Sequence, residues 1–320
     1  MVKRTCTLKI RKSALALLLV ICLLAISSSH SNGGNISQTR RIVIGEQKSS
    51  HAAPLIVAEA KDFFKAEGLN VEIKWFPSGS GPVISEGLGN KSIDVAHIGI
   101  VPALIAGAKM PVTIVCGTLI GGHALVVKPQ ITSIDQLKGK VMAVPKRGTL
   151  QDFYLRMILM KKGVDPKTEV IIQEVPADAT AIALRQGTID AAMLSDLIAL
   201  KVTQDGSTKI LAWAQDIFPN YVSEVLVIQK ELIQQNPLTA KNLVKIYTKS
   251  IEFIKGNPKE TASWVAKALG VSQAIAFKSV QNVMWSVELK KNDCKKFAEE
   301  MVLLGFLDKM PDIERLINNL

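Results

Sequence analysis

Two stretches 96 residues apart carry one pattern. Residues 84–96 read ISEGLGNKSIDVA and residues 182–192 read IALRQGTIDAA. Each is a helix-like segment that ends near a glycine and runs into an Ile-Asp pair and a short apolar strand, with Ile93 answering Ile189. A chain that builds one helix–turn–strand unit twice, that far apart, is expected to build two similar lobes. The apolar members seed each core. Asp94 and Asp190 are expected to satisfy local backbone N–H groups at the strand entrance.

The ends limit which residues belong to that fold. Lys3, Arg4, Lys9, Arg11 and Lys12 precede an unbroken apolar run at 14–26, and small residues follow in SSSHSNGG. This is the layout of a secretory signal over residues 1–29, cleaved near 27–29. Its apolar run is shorter than the roughly 20 residues of a membrane-spanning helix. Lipid attachment at Cys22 is not expected, because bulky Ile21 precedes it. Removing those five basic residues from the 39 leaves 34 against 28 acidic ones, so the net charge falls from +11 to about +6. That surplus favours anionic partners only weakly. With no basic run interleaved with aromatics, nucleic acid is not an expected partner. Two of the four cysteines remain, Cys116 in an apolar strand and Cys294 in a polar helix start. Export would permit a disulfide between them, although a buried free thiol is the expected state of Cys116. The chain has no CxxC, HExxH or GxSxG, so neither a cofactor nor a hydrolase is indicated.

Strand and helix patterns alternate along the chain. RIVIGEQ reads as a strand and SSHAAPLIVAEAKDFFKAEG as one helix, with Pro54 in its first turn, a stripe of Ile56, Ala60, Phe63 and Phe64, and Gly68 ending it. LNVEIKWF alternates strictly as a strand. After HALVVK the pattern restarts. Ser133 with Gln136 and Thr149 with Asp152 mark helix starts, the second helix carrying Leu150, Phe153, Tyr154, Met157 and Ile158 on one stripe. TEVIIQEVP, IDAAML and EVLVIQ are further strands, and from Pro237 onward the chain is nearly all helix. Such alternation predicts α/β lobes with mostly parallel sheets flanked by helices.

In open α/β sheets a ligand sits beyond the carboxyl ends of the strands. Those ends are the loops KSSHAA, PSGSGP, HIGIVP, PKRGTL and LSD. They make candidates of Ser49, Ser50 and His51, of Ser78, Gly79 and Ser80, of Ile98 and Gly99, of Arg147, Gly148 and Thr149, and of Ser195 and Asp196. Helix starts at three of these loops offer backbone N–H groups to an anion. Arg147 is expected to add a charged contact, and the hydroxyls either contact the ligand or cap helices. His51, His97 and His123 fall at strand ends, and His123 joins the candidates as a ligand contact. The three lack i,i+4 spacing and an accompanying cysteine, so no metal is expected.

The stretches PLIVAEAKDFFKAEGLNVE, IDVAHIGIVPALIAGA, HALVVK, SIDQLKGKVMAVPKRGT and IDAAMLSD together resemble the periplasmic solute-binding proteins of ABC transporters, in the sulfonate, taurine and nitrate branch. The resemblance implies a two-lobed type II binding-protein fold joined by two crossover strands near 123–128 and 223–229. Lobe one would comprise 40–125 and 226–320, with the C-terminal helices packed back on it, and lobe two 126–225. It implies a periplasmic, non-enzymatic monomer that closes on a small, anionic solute and delivers it to a permease and its ATPase. Ile100, Arg147-Gly148-Thr149 and Ser195-Asp196-Leu197 depart from the family's usual pattern, so the ligand's identity does not follow. The alternatives are an enzyme on the same fold, such as a pyrimidine-precursor synthase, whose cysteine-rich motif is absent, or the ligand-binding part of a sensor.

Overall fold

The computed structural model describes residues 40–318; the expected signal at 1–29 and Cys22 lie outside them. Its strands are β1 (Ile42–Gln47), β2 (Val71–Phe76), β3 (Val95–Gly99), β4 (Val112–Gly121), β5 (His123–Val127), β6 (Val141–Val144), β7 (Ile171–Glu174), β8 (Ala191–Ser195), β9 (Lys209–Trp213), β10 (Val222–Gln229) and β11 (Val283–Trp285). They form a six-stranded sheet in the order β11-β4-β10-β3-β1-β2 and a five-stranded sheet in the order β7-β6-β8-β5-β9.

The two sheets share one plan. β2-β1-β3 and β7-β6-β8 are parallel trios, and each trio continues through two antiparallel strands, β10-β4 in the first sheet and β5-β9 in the second. The chain leaves the first sheet after β4 and enters the second as β5; it leaves after β9 and returns as β10. The sheets are therefore mixed where mostly parallel ones were expected. The cause is the exchange itself. Each exchanged strand enters beside the last residue of a parallel strand, His123 opposite Ser195 and Glu224 opposite Gly99, and so runs the other way.

Burial follows the strand patterns. β3 and β8 are buried throughout, as strands covered on both faces must be, while the alternating β2 is a half-buried edge. Helix Leu150–Lys161 buries its whole predicted stripe, and Thr149 caps it by accepting from the Asp152 N–H at 3.3 Å. The capping box at Ser133 and Gln136 is also formed. The single helix expected over 49–68 is broken: helices Ala53–Ala60 and Phe63–Ala66 are separated by Asp62 at φ 53°, and Ala60 is exposed. Aspartate tolerates that left-handed conformation better than most residues. Helix Pro237–Gly256 packs on helix Ala53–Ala60 and β4, and β11 pairs with β4, so the C-terminal segment covers the first sheet. Cys116 and Cys294 are both free and buried, with thiols pushed up to about 12 by burial, so they form no disulfide.

The repeated Ile-Asp pairs do the same work twice. Asp94 accepts from the Val43 N–H at 2.9 Å and from Arg40 at 2.6 Å; Asp190 accepts from the Val141 N–H at 3.1 Å and from Lys128 at 2.7 Å. Each carboxylate ties its strand to the middle strand of its parallel trio, β1 or β6. Burial alone would raise the Asp190 carboxyl, but the Lys128 ammonium and the Val141 N–H outweigh it and hold the carboxyl below the usual aspartate range. A depressed carboxyl stabilises the fold above its unfolded value of about 3.9, and the effect fades as pH falls through the folded value. Asp190→Asn is expected to cost about 1 kcal/mol in urea unfolding at pH 7. The deficit should shrink toward zero as pH is lowered below the unfolded value; a deficit that does not change with pH would refute this account.

Candidate functional site

The carboxyl ends of β1, β2, β3, β6 and β8 all face the place where the strands exchange. Gly121 and Gly122 make the first crossing, with φ of +86° and +78°. Only glycine adopts two such angles in succession without strain. The second crossing runs through the short helix Ala214–Ile217 into β10.

Around Gly122 lies a buried polar cluster contributed by both sheets. Asp196, fully buried at the start of helix Asp196–Val202, accepts from the Ser50 hydroxyl at 2.7 Å, the Ser279 hydroxyl at 2.7 Å and the Leu197 N–H at 2.6 Å. Its own N–H donates to the Gly122 carbonyl at 2.9 Å. His51 lies between two carboxylates: Nδ1 is 3.2 Å from Glu224 Oε1, and Nε2 is 3.4 Å from Asp196 Oδ1 and 3.1 Å from the Gly122 carbonyl. Burial alone would lower its basicity, but hydrogen bonds to Asp196 and Glu224, with their charges, raise it to about 10. His123 behaves oppositely. Burial and the neighbouring His51 charge push it down to about 4, and Nδ1 donates to the Gly121 carbonyl at 3.1 Å. The Asp196 and Glu224 carboxyls, which burial alone would raise, are held below their ordinary range chiefly by His51. One oxygen of Glu224, Oε2, is buried with no hydrogen-bond partner. A second buried pair flanks the cluster. His97 joins Glu46 at 2.6 Å and the Thr118 hydroxyl at 2.8 Å, and Glu46 holds its basicity up against burial.

Most of the predicted candidates meet here. Ser50, His51, His123, Ser195 and Asp196 line the junction, and Ser78 faces Ser195 across it at 3.4 Å. Gly79 donates to the Gln47 side chain at 2.9 Å and lies against Pro145, which a Cβ would meet at 2.4 Å. Gly99 and Thr149 border a small void of about 10 Å³ with Gln47, Gln151 and Glu224, room for roughly one water. Gly148 stands near Pro82 and Ile105, and Ser49 is buried beside Ser50. Ser80 precedes helix Gly81–Gly89 without capping it through its side chain. Two candidates point elsewhere. Ile98 is wholly buried in the apolar core of β3. The Arg147 guanidinium donates to the Ile172 carbonyl of outer strand β7 at 2.7 Å, so its charge is directed away from the cluster. A larger groove of about 950 Å³, lined by Val244, Thr248 and Lys290, includes none of the converging loops and is open to solvent.

Glu224, Glu46, Gln47, Gly122 and Ser279 were not among the candidates. For Glu224 and Glu46 the signal was a carboxylate in an otherwise apolar strand segment, EVLVIQ and RIVIGEQ; Gly122 and Ser279 carried none. Lys and Glu are almost never fully buried unless paired. Among the described residues, His51, His123 and Glu224 offer donor atoms within 4.8 Å of one another, a spacing that could hold a metal ion.

A family model described as the NMT1-like family matches residues 36–270. A protein of Bacillus subtilis (strain 168) named as an aliphatic sulfonates-binding protein is 26% identical over 97% of this chain and 95% of its own length. The taurine-binding periplasmic protein of Escherichia coli (strain K12) is 26% identical, with the match spanning 65% of each chain. Among solved structures, the alkanesulfonate-binding protein SsuA from Xanthomonas axonopodis pv. citri bound to MOPS superposes with a TM-score of 0.76 at 18% identity, over 88% of this chain and 98% of that one. It shares the periplasmic binding-protein fold.

A Cβ at Gly122 would lie 2.4 Å from His51 Nε2 and 2.9 Å from Val283. Gly139 has a similar φ of +73° but open space around it. Gly139→Ala should therefore cost only the left-handed strain, about 1–2 kcal/mol. Gly122→Ala should cost distinctly more, because His51 must also leave its carboxylates. Equal losses in chemical denaturation would show that the His51 contact contributes nothing.

Proposed function

This chain belongs to the NMT1-like family, and on that premise we propose that it is an extracytoplasmic solute-binding protein serving an ABC importer. It would hold a small solute between lobes 40–121 with 222–318 and 122–221, and present the closed form to a membrane permease and its ATPase; these bounds replace the expected 40–125 with 226–320 and 126–225, because the whole of β5 pairs in the second sheet and the whole of β10 in the first. The observation that carries the reading is the convergence of five strand-end loops from two sheets on a junction crossed, among the described residues, by two connections. Such a junction is built to hinge. The Ser50–Asp196 and Ser78–Ser195 contacts across it are those that closure makes.

The relatives named for sulfonate and taurine binding favour a small anion, and the helix starts at Gly99 and Thr149 offer it backbone N–H groups. Arg147 has no part in this, since its guanidinium serves β7. No catalytic step is included in the reading.

The test is a thermal-shift screen of sulfonates, taurine, nitrate, bicarbonate, carboxylates and pyrimidines on the purified protein. A true ligand at 100 times its Kd should add about 2.7 kcal/mol of stability, and small-angle scattering should show compaction. Arg147→Ala should keep the affinity within about twofold, well under the 1.4 kcal/mol that corresponds to tenfold. Conversion of the stabilising solute to product would overturn the pure binder, and binding without compaction would overturn the hinge.

A further inference from the structure

Two backbone carbonyls fix the tautomers of the buried histidines. A carbonyl only accepts, so Nε2 of His51, 3.1 Å from the Gly122 oxygen, carries a hydrogen. The same holds for Nδ1 of His123, 3.1 Å from the Gly121 oxygen. Each ring is left with its other nitrogen, Nδ1 of His51 and Nε2 of His123, for a partner other than the backbone. The third group is Glu224, with Oε1 3.2 Å from Nδ1 of His51 and Oε2 buried and unpartnered. All three residues are at least nine-tenths buried.

A proton on Nδ1 of His51 would satisfy Glu224 Oε1. It leaves Oε2 as a buried acceptor without a donor, with the free nitrogen of a neutral His123 in the same cluster. A buried acceptor with no donor is costly, and a cation held between Oε2 and that nitrogen removes the cost. Two imidazoles and a carboxylate, with each imidazole oriented through its second nitrogen by a carbonyl, are the ligands and supporting shell of a zinc site that keeps a fourth position open. Calcium and magnesium prefer all-oxygen shells and are disfavoured here.

We propose that His51, His123 and Glu224 bind a divalent transition-metal ion, zinc by the chemistry of the set, at the point where the two sheets exchange strands. Tetrahedral ligands about 2.0–2.1 Å from zinc stand roughly 3.4 Å apart. The His51–Glu224 pair at 3.2 Å already meets that spacing, and one donor atom from each of the three residues lies within 4.8 Å of the others, so a contraction of no more than about 1.4 Å closes the set. His51 and Glu224 belong to the first sheet's side and His123 opens the second sheet, so the ion would tie the two together. The proposal does not depend on the transport reading, because the probe is the metal alone.

The experiment strips the purified protein with a chelator and titrates it calorimetrically with zinc sulfate, with calcium and magnesium chloride as controls. One zinc per chain is expected, with no heat from calcium or magnesium. His123→Gln and Glu224→Gln should each weaken zinc binding at least about 100-fold, while Asp190→Asn, at the entrance of β8 and outside the set, should leave it unchanged. Should a variant fail to fold, the unmodified protein loaded with cobalt(II) decides: intense visible bands of a four-coordinate nitrogen–oxygen site support the proposal, and a six-coordinate spectrum overturns it. Zinc uptake well below one per chain, or equal affinity in folded His123→Gln and the unmodified protein, also overturns it. Either result leaves a solute-borne donor, such as an ammonium group, as the partner of Glu224.

Discussion

The whole arrangement hangs on two glycines. Gly121 and Gly122, at φ of +86° and +78°, turn the chain out of the first sheet and straight into the second. A peptide with side chains there would be strained, and at Gly122 it would also strike His51. With no side chains in the way, the two carbonyls become acceptors at the centre of the molecule. They take hydrogen bonds from the ring nitrogens of His51 and His123 and from the Asp196 N–H. The turn thereby joins the sheets, leads β5 in antiparallel to β8 and orients the histidines.

The electrostatics follow from that geometry. Three carboxylates, Glu46, Glu224 and Asp196, are almost wholly removed from water. Isolated buried carboxylates would protonate or the fold would open. Each is held by a histidine, and Asp196 by two hydroxyls and a backbone N–H as well. Removing one member of such a set is costly, about 3–5 kcal/mol for a buried ion pair, because the charge left behind stays buried. Ser279 reaches Asp196 from helix Gln273–Gln281, so even the C-terminal helices are tied to the junction. The cluster therefore couples the position of the second sheet to the packing of the C-terminal segment.

Local patterns in the sequence carried most of the architecture. The Ile-Asp repeat, the burial of β3 and β8, the Thr149 cap and the Leu150–Ile158 stripe depend on neighbours within a few residues or on period alone, and the structure reproduces them. Where a single residue's conformation mattered, the reading slipped. Asp62 breaks an otherwise continuous apolar pattern because its left-handed φ costs little, a choice that periodicity does not register. The strand-end rule gathered the candidate loops, since parallel strands present their carboxyl ends together whatever their side chains are.

The sequence by itself determined the two-lobed α/β plan, the loops that converge and the duplicated aspartates, because these rest on period, chain direction and local hydrogen bonding. Only the tertiary structure decided which side chains meet. Arg147 and His123 both stand at strand ends, yet one turns outward to the Ile172 carbonyl and the other inward to the Gly121 carbonyl. Glu224 lies 173 residues from His51, and Ser50 lies 146 from Asp196. Pairings over such separations are set by the crossing of strands between sheets, which brings distant segments within 3 Å or so and leaves no trace in local composition.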